Sequence, residues 1–140
     1  MKYDHNIQQH RRNLAQVILS AMHMNGMTAK ESPNCREAVF VKTMDNGIEM
    51  LVYTSIENGE VRQVGEDAIR VTAVYNGRGL VSTTRVHRVG EVNAIVDRIA
   101  NSMSKVWKSA AEAVRCHNCG APKFTSKKGN LVCADLCWTR

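Results

Sequence analysis

Three Asn-Gly pairs in the middle of the chain restrict what it can fold into. They are Asn46-Gly47, Asn58-Gly59 and Asn76-Gly77, and each lies between runs rich in β-branched and aromatic residues. Such pairs favour type I′ turns, because both central residues of these turns have positive φ. The segment from residue 38 to 89 is therefore predicted to form an antiparallel β-meander of four to five strands.

Two segments with helical periodicity flank the predicted sheet, one over residues 5–25 and one over residues 91–114. Residues 26–36 contain Pro33 and are predicted to be a connection. The predicted apolar stripes are Leu14, Val17, Ile18, Ala21 and Met22 in the first helix, and Val92, Ile95, Val96, Ile99, Met103, Val106, Trp107, Ala110 and Val114 in the second. The predicted fold class is α+β: an N-terminal helix, the meander, and a long amphipathic helix that covers one side of the sheet.

Four of the five cysteines lie in the tail, as Cys116-x2-Cys119 and Cys133-x3-Cys137. Four thiolates within tetrahedral reach favour Zn²⁺ and leave it no open position, which predicts one structural zinc ion. A segment this short cannot bury enough apolar surface to fold alone, so metal binding would supply the missing stability. The expected division is an α+β core domain over residues 1–114 and a zinc module over residues 115–140. Two disulfides, or four unrelated buried thiols, are the alternatives.

The motif CHNCG, followed by a predicted hairpin and CADLC, resembles a zinc ribbon or treble-clef module. The resemblance covers residues 116–138, and it implies zinc and often a nucleic-acid partner. The second pair departs from the two-residue spacing usual in such modules. The order helix, hairpin-rich sheet, long helix is loosely similar to the core of Rad52-like single-strand annealing proteins. That likeness rests on topology alone, which does not define function.

Positive charge is unevenly distributed along this chain, whose formal net charge is +6. Residues 68–90 contain four arginines and no acid, and the tail from residue 116 is also basic. In residues 68–75 apolar positions alternate with Arg70 and Thr72, so one strand face is predicted to be core and the other to present arginine to solvent. Planar guanidinium groups suit phosphate contacts. The predicted nucleic-acid-binding residues are Arg62, Arg70, Arg78, Arg85, Arg88, Lys105, Lys108, Lys123, Lys127 and Lys128.

These features predict a nucleic-acid-binding protein that prefers single-stranded DNA, because no helix has the pattern of a basic recognition helix. A role in replication or recombination follows, with contacts to phosphates rather than to base sequence. Tyr53 and Tyr75 are candidates for base stacking, although half-buried strand tyrosines are the commoner case. Strand annealing would further require a homo-oligomer, which the sequence leaves open. The alternative is an adaptor whose zinc module docks on a polymerase or another nucleic-acid machine.

No enzymatic activity is predicted. The five histidines form no His-x-Glu pair with the cysteines and no HExxH motif, and no phosphate-binding Gly-rich loop is present. Cys35 beside Arg36 is interpreted as an incidental cysteine rather than a nucleophile. The N-terminal residues contain no apolar stretch of signal-peptide length, and no run approaches a membrane span. The expectation is a cytoplasmic protein with no membrane partner.

Overall fold

The computed structural model describes residues 5–31, 36–44, 47–62, 68–76, 78–80, 83–86, 91–111, 116–117, 119, 121–125 and 130–133. Two helices flank the main strands in chain order. The elements are α1 (His5–Met24), β1 (Thr28–Lys30), β2 (Val39–Thr43), β3 (Ile48–Tyr53), β4 (Ile56–Glu57), β5 (Glu60–Val61), β6 (Ile69–Tyr75), β7 (Arg78–Gly79), β8 (Thr84–Val86), α2 (Val92–Ala111), β9 (Lys123–Thr125) and β10 (Leu131–Cys133).

The main sheet is antiparallel and has six strands, in the order β1-β2-β3-β6-β7, with β8 also paired to β6. An N-terminal helix, an antiparallel sheet and a long second helix confirm the predicted α+β class. Strand β1 lies within residues 26–36, where the sequence predicts only a connection. At the second predicted turn, Asn58 and Gly59 have φ of 54° and 78°, as a type I′ hairpin requires.

One part of the meander differs from the expectation. The segment after Asn58-Gly59 forms only β5, which pairs with β4 in a separate two-stranded sheet, so β3 pairs directly with β6. The chain leaves the main sheet at Ser55, whose φ is 58°. Ile56 and Val61 are then buried in the main core, and β5 contacts α1. Burial of these two side chains therefore places the small hairpin beside α1.

Both helices contribute to the core on one face of the sheet, and α2 contacts β3, β6 and β8. The fully buried side chains at the centre are Leu14, Ile18 and Met22 of α1, Ile95 and Ile99 of α2, and Met50, Val52 and Val71 of the sheet. One predicted core residue is wrong: Val92, in the first turn of α2, is 36% exposed. Val114 lies outside the described residues.

The opposite face of the sheet, called the open face below, carries polar side chains at one end, beside the buried Val39 and Leu51. Tyr53 is the cross-strand partner of Arg70, and Arg70 is the partner of Arg85, so the three side chains share one face. Their neighbours Val52 and Val71 belong to the helix-covered core, because successive strand residues alternate between faces. Neither described helix contributes to the open face. This confirms the predicted alternation around Arg70.

Helix α1 ends in a turn at Gly26 that requires a positive φ. The Gly26 N–H donates to the carbonyl of His23 (3.1 Å) and the Met27 N–H to that of Met22 (2.9 Å), which together form a Schellman motif. Gly26 has φ of +71°, and a Cβ there would meet no atom closer than 3.8 Å. Gly26→Ala is therefore expected to destabilise the fold by about 1 kcal/mol, through backbone strain alone.

Urea denaturation would measure this change, with Gly26→Asn as the matched control. Asparagine tolerates the left-handed conformation better than alanine does, so Gly26→Asn should lower the free energy of unfolding by less than Gly26→Ala. Equal decreases in the free energy of unfolding for the two variants would contradict the assignment of the destabilisation to backbone strain.

Candidate metal centre and arginine pocket

Three cysteines that are distant in sequence come together beside the β9–β10 hairpin. The sulfur atoms of Cys116, Cys119 and Cys133 all lie within 4.8 Å of one another, and those of Cys119 and Cys133 are 3.4 Å apart. Cys116 and Cys133 are buried, whereas Cys119 is exposed. Their proximity brings three soft ligand atoms to one point.

The local backbone explains this convergence. The Cys116 N–H donates to the carbonyl of Ala121 (2.8 Å), which closes the loop that contains Cys119. Strand β9 follows directly, and its antiparallel partner β10 ends at Cys133, opposite Lys123. The hairpin therefore returns the chain from the first cysteine pair to the beginning of the second.

The donor set fits a metal ion. A tetrahedral ion with metal–sulfur bonds of about 2.3 Å places its sulfur ligands roughly 3.8 Å apart. The 3.4 Å between Cys119 and Cys133, and the limit of 4.8 Å on the other separations, are compatible with that geometry. A disulfide would need about 2.05 Å between sulfurs. None of the three described cysteines forms a disulfide in this structure. The three can hold a metal ion. Cys137, the predicted fourth ligand, lies outside the described residues, as does Cys35.

Tyr75 connects the cysteine cluster to the rest of the fold. It ends β6, it is half-buried, and it packs both against the main core and against the buried group formed by Cys116, Ala121 and Cys133. The cysteine cluster is thus in contact with the sheet. The sequence leaves the relation between core and tail open, and the boundary at residue 114 stays a prediction.

A second constellation is an open pocket of about 510 Å³ at one end of the main sheet, called the arginine pocket below. Its lining residues are Arg36, Glu37, Ser55, Glu57, Arg62, Arg70 and Arg85. They come from the segment before β2, the turn after β3, the β4–β5 hairpin, and strands β6 and β8. In antiparallel pairing the start of one strand lies beside the end of its neighbour, which explains why residues so far apart in sequence meet here.

Arg70 is the most constrained cation of the pocket. Its Nη2 donates to both carboxylate oxygens of Glu37, at 2.5 and 2.6 Å, and its guanidinium lies 5.1 Å from the ring centre of Tyr53. Glu37 also accepts a hydrogen bond from the backbone N–H of Ser55 (3.0 Å). Charge-assisted hydrogen bonds and a ring contact together hold the guanidinium in one orientation.

The electrostatics of the pocket favour an anion. Among the described lining residues, four arginines against two glutamates leave an excess of two positive charges. Arg70 and Arg85 are directly opposed on β6 and β8, an arrangement that is destabilising for like charges. The Nε of Arg70 is buried and has no hydrogen-bond partner among the described residues. The remaining glutamate, Glu57, is 3.7 Å from Arg62 in an ion pair.

The structure brings together some of the predicted nucleic-acid-binding residues and separates others. Arg62, Arg70 and Arg85 line one pocket. Lys105 and Lys108 are exposed on α2, which packs on the other face of the sheet, and Lys123 lies on β9. Arg78 is on β7, but its side chain lies outside the description, and so do Arg88, Lys127 and Lys128 altogether. These residues stay predictions.

Sequence reasoning missed Arg36 and Glu37 as pocket residues. Neither forms part of a motif. Arg36 ends the segment predicted to be a connection, and Glu37 lies between that segment and the predicted meander. A usable signal was present, because the start of a strand at residue 38 must lie beside the end of the following strand in a meander. That geometry places the residues just before 38 next to Tyr53 and Arg70.

Neither described helix is long and apolar enough to cross a membrane. Comparison of the chain with protein families, with characterised proteins and with solved structures gives no match in any of the three.

Proposed function

We propose that this protein binds single-stranded DNA through the arginine-lined end of its open face, in replication or recombination. The observation that carries the proposal is the convergence of Arg62, Arg70 and Arg85, from separate elements, on one pocket. Two of them lie on a sheet face to which neither described helix contributes. An open basic surface of this kind suits a flexible single strand, whose phosphates and bases are both accessible.

The contacts proposed here are electrostatic and stacking in nature. Phosphates would displace counterions as they meet the arginines, so binding would depend strongly on salt and little on base sequence. Tyr53 lies in the same row as Arg70 and Arg85 and is half-buried. It is therefore the tyrosine that the proposal assigns to base stacking, since Tyr75 packs between the main core and the cysteine cluster.

The metal in this proposal is a single structural zinc ion in a ribbon-like module, with Cys137 completing the four-sulfur set. Support comes from the three sulfurs, which lie within 4.8 Å of one another, and from the hairpin that links them. Bound zinc would fix the fold of the cysteine segment, and four thiolates would leave no position for a substrate. The proposal therefore assigns the protein no enzymatic activity.

Fluorescence anisotropy with labelled single-stranded and duplex DNA, across a salt series, tests the proposal. We expect tighter binding of the single strand and a log–log salt slope of about −0.7 per phosphate contacted. Arg85→Glu should weaken single-strand binding by roughly ten-fold or more, because it replaces an attraction by a repulsion. The matched control is Arg98→Glu on α2, which has the same charge change but lies away from the pocket and pairs with Glu91.

Three outcomes would count against the proposal. Equal losses of single-strand affinity in Arg85→Glu and Arg98→Glu would mean that binding depends on the net charge of the protein and not on the pocket. Tighter binding of the duplex would overturn the preference for single strands. No binding at low salt would overturn nucleic-acid binding altogether, and would favour the adaptor in which the zinc module docks on a protein.

A further inference from the structure

We infer that the arginine pocket is a subsite for a phosphate monoester, either the terminal phosphate of a strand or the phosphate of a free nucleotide. The inference deepens the proposed function and rests on it for the origin of the phosphate. It differs from contact with the DNA backbone, because a backbone phosphate is a diester with a single negative charge. The reasons are the arrangement of the charges, their number, and the buried donor on Arg70.

The first reason is the arrangement of the arginines. Arg36, Arg62, Arg70 and Arg85 surround one cavity instead of following a line along the sheet. Cations that converge in this way suit one compact anion with several oxygens, while the rest of a bound strand would continue along the open face. A pocket of about 510 Å³ has room for one phosphate together with the adjoining sugar.

The second reason is the number of charges. Among the described lining residues there are four arginines and two glutamates, hence an excess of two positive charges. A phosphate monoester carries about −1.5 to −2 at neutral pH, because its second pKa is near 6. The monoester therefore neutralises the pocket almost fully, and a diester would leave about half of the excess.

The third reason is the environment of Arg70. Its Nη2 is engaged by Glu37, while its buried Nε has no hydrogen-bond partner among the described residues. Buried donors are rarely left without an acceptor. Arg70 also faces the like charge of Arg85 across the strand pair. A phosphate in the pocket would offer several acceptor oxygens to the guanidinium groups that line it.

The experiment compares one oligonucleotide of fixed sequence with four ends: 5′-hydroxyl, 5′-phosphate, 5′-methylphosphate and 3′-phosphate. Anisotropy competition with the intact chain reports the affinity of each. We expect the 5′- or the 3′-phosphate to bind about ten-fold more tightly than the hydroxyl end, as charge-assisted hydrogen bonds allow. The methylphosphate, which is a diester, should lose most of that gain.

Titration with inorganic phosphate and with a deoxynucleoside monophosphate distinguishes the two sources. Competition by the mononucleotide against the phosphorylated strand, at a concentration where its unphosphorylated nucleoside has no effect, would identify a pocket that also takes free nucleotides. A terminal-phosphate preference without competition by mononucleotide would assign the pocket to strand ends. Both results support a monoester subsite.

Substitutions in the pocket provide the control for position. Arg36→Gln and Arg85→Gln should each abolish most of the preference for the phosphorylated end. Glu37→Gln should strengthen it, because it removes a competing carboxylate while its amide oxygen can still accept the Ser55 N–H. Arg98→Gln, on α2, should leave the preference unchanged.

The result that overturns the inference is equal affinity for all four ends. If the unphosphorylated strand still binds in a salt-dependent way, the proposed function stands and only the monoester subsite fails. If no strand binds at any end while inorganic phosphate and the mononucleotide do, the reverse holds: the pocket is a phosphate site and strand binding is wrong. The two failures are thus separable.

Discussion

Removal of the metal ion that we propose for the cysteine cluster is expected to unfold the cysteine segment and to lower the stability of the sheet domain as well. The segment holds few apolar residues of its own, and metal binding to small zinc-stabilised peptides provides roughly 10–16 kcal/mol. Contact between Tyr75 and the buried cysteines transmits part of that stabilisation to β6. We expect the melting temperature of the chain to fall by roughly 10 °C on chelation, in line with a loss of a few kcal/mol in a protein of this size.

Elemental analysis should find one zinc ion per purified chain, and Cys133→Ser should lose it. Cys133 is buried and its sulfur lies 3.4 Å from that of Cys119, so its loss removes a ligand from the centre of the cluster. The matched control is Cys35→Ser, at the one cysteine predicted to lie outside the metal set, which should retain zinc and melt like the parent chain.

Full zinc content in Cys133→Ser, or loss of zinc in Cys35→Ser, would contradict this ligand set. Thiol titration of the denatured, unreduced protein offers a second readout. Fewer reactive thiols than the five cysteines of the sequence would indicate disulfides in the tail, whereas a full count supports metal-bound thiolates.

Local chemistry predicted the features of the fold whose causes are local. The stripe around Ile18 is buried as the helical period indicates, and α1 ends at Met24, one residue before the end of the predicted helical segment. Asn58-Gly59 forms the positive-φ turn that its sequence favours. In each case the residues that decide the conformation are within a few positions of one another, so pattern and turn chemistry suffice.

Features that depend on distant contacts were not predictable in the same way. Positive φ at Ser55 is uncommon for serine, and it is accompanied by the bond from its N–H to Glu37, 18 residues away. This bend removes the β4–β5 hairpin from the main sheet. The exposure of Val92 likewise depends on where α2 begins relative to the sheet, which a helical stripe does not specify.

The two candidate sites differ in the same way: one follows from local sequence chemistry, and the other depends on contacts between distant residues. The spacing of the cysteines carries its own chemical meaning, so the cluster of Cys116, Cys119 and Cys133 is predictable from the sequence alone. The arginine pocket has no such spacing. Alternation along β6 placed Arg70 on the exposed face, but only the cross-strand register brings it opposite Arg85.

Replacement of Tyr75 by alanine is expected to separate the metal centre energetically from the sheet. Its half-buried ring contacts both hydrophobic clusters, so its loss should cost about 2–4 kcal/mol, somewhat less than truncation of a fully buried aromatic side chain. More specifically, chelation should then lower the stability of the sheet domain far less than it does in the parent chain. Urea denaturation with and without metal, for both chains, gives the coupling as a double-mutant cycle.

Two tyrosine variants control this cycle. Tyr75→Phe keeps the ring and should retain the coupling, which would assign it to packing rather than to the hydroxyl group. Tyr53→Ala removes a half-buried tyrosine from the open face of the same sheet and should destabilise without changing the response to chelation. If Tyr75→Ala responds to chelation as strongly as the parent chain, the metal centre communicates with the core through other contacts, and the role assigned to Tyr75 is wrong. If the coupling disappears in Tyr75→Ala, the tail and the sheet of the parent chain form one cooperative unit. A single aromatic side chain then joins two parts that the sequence predicts to be separate modules.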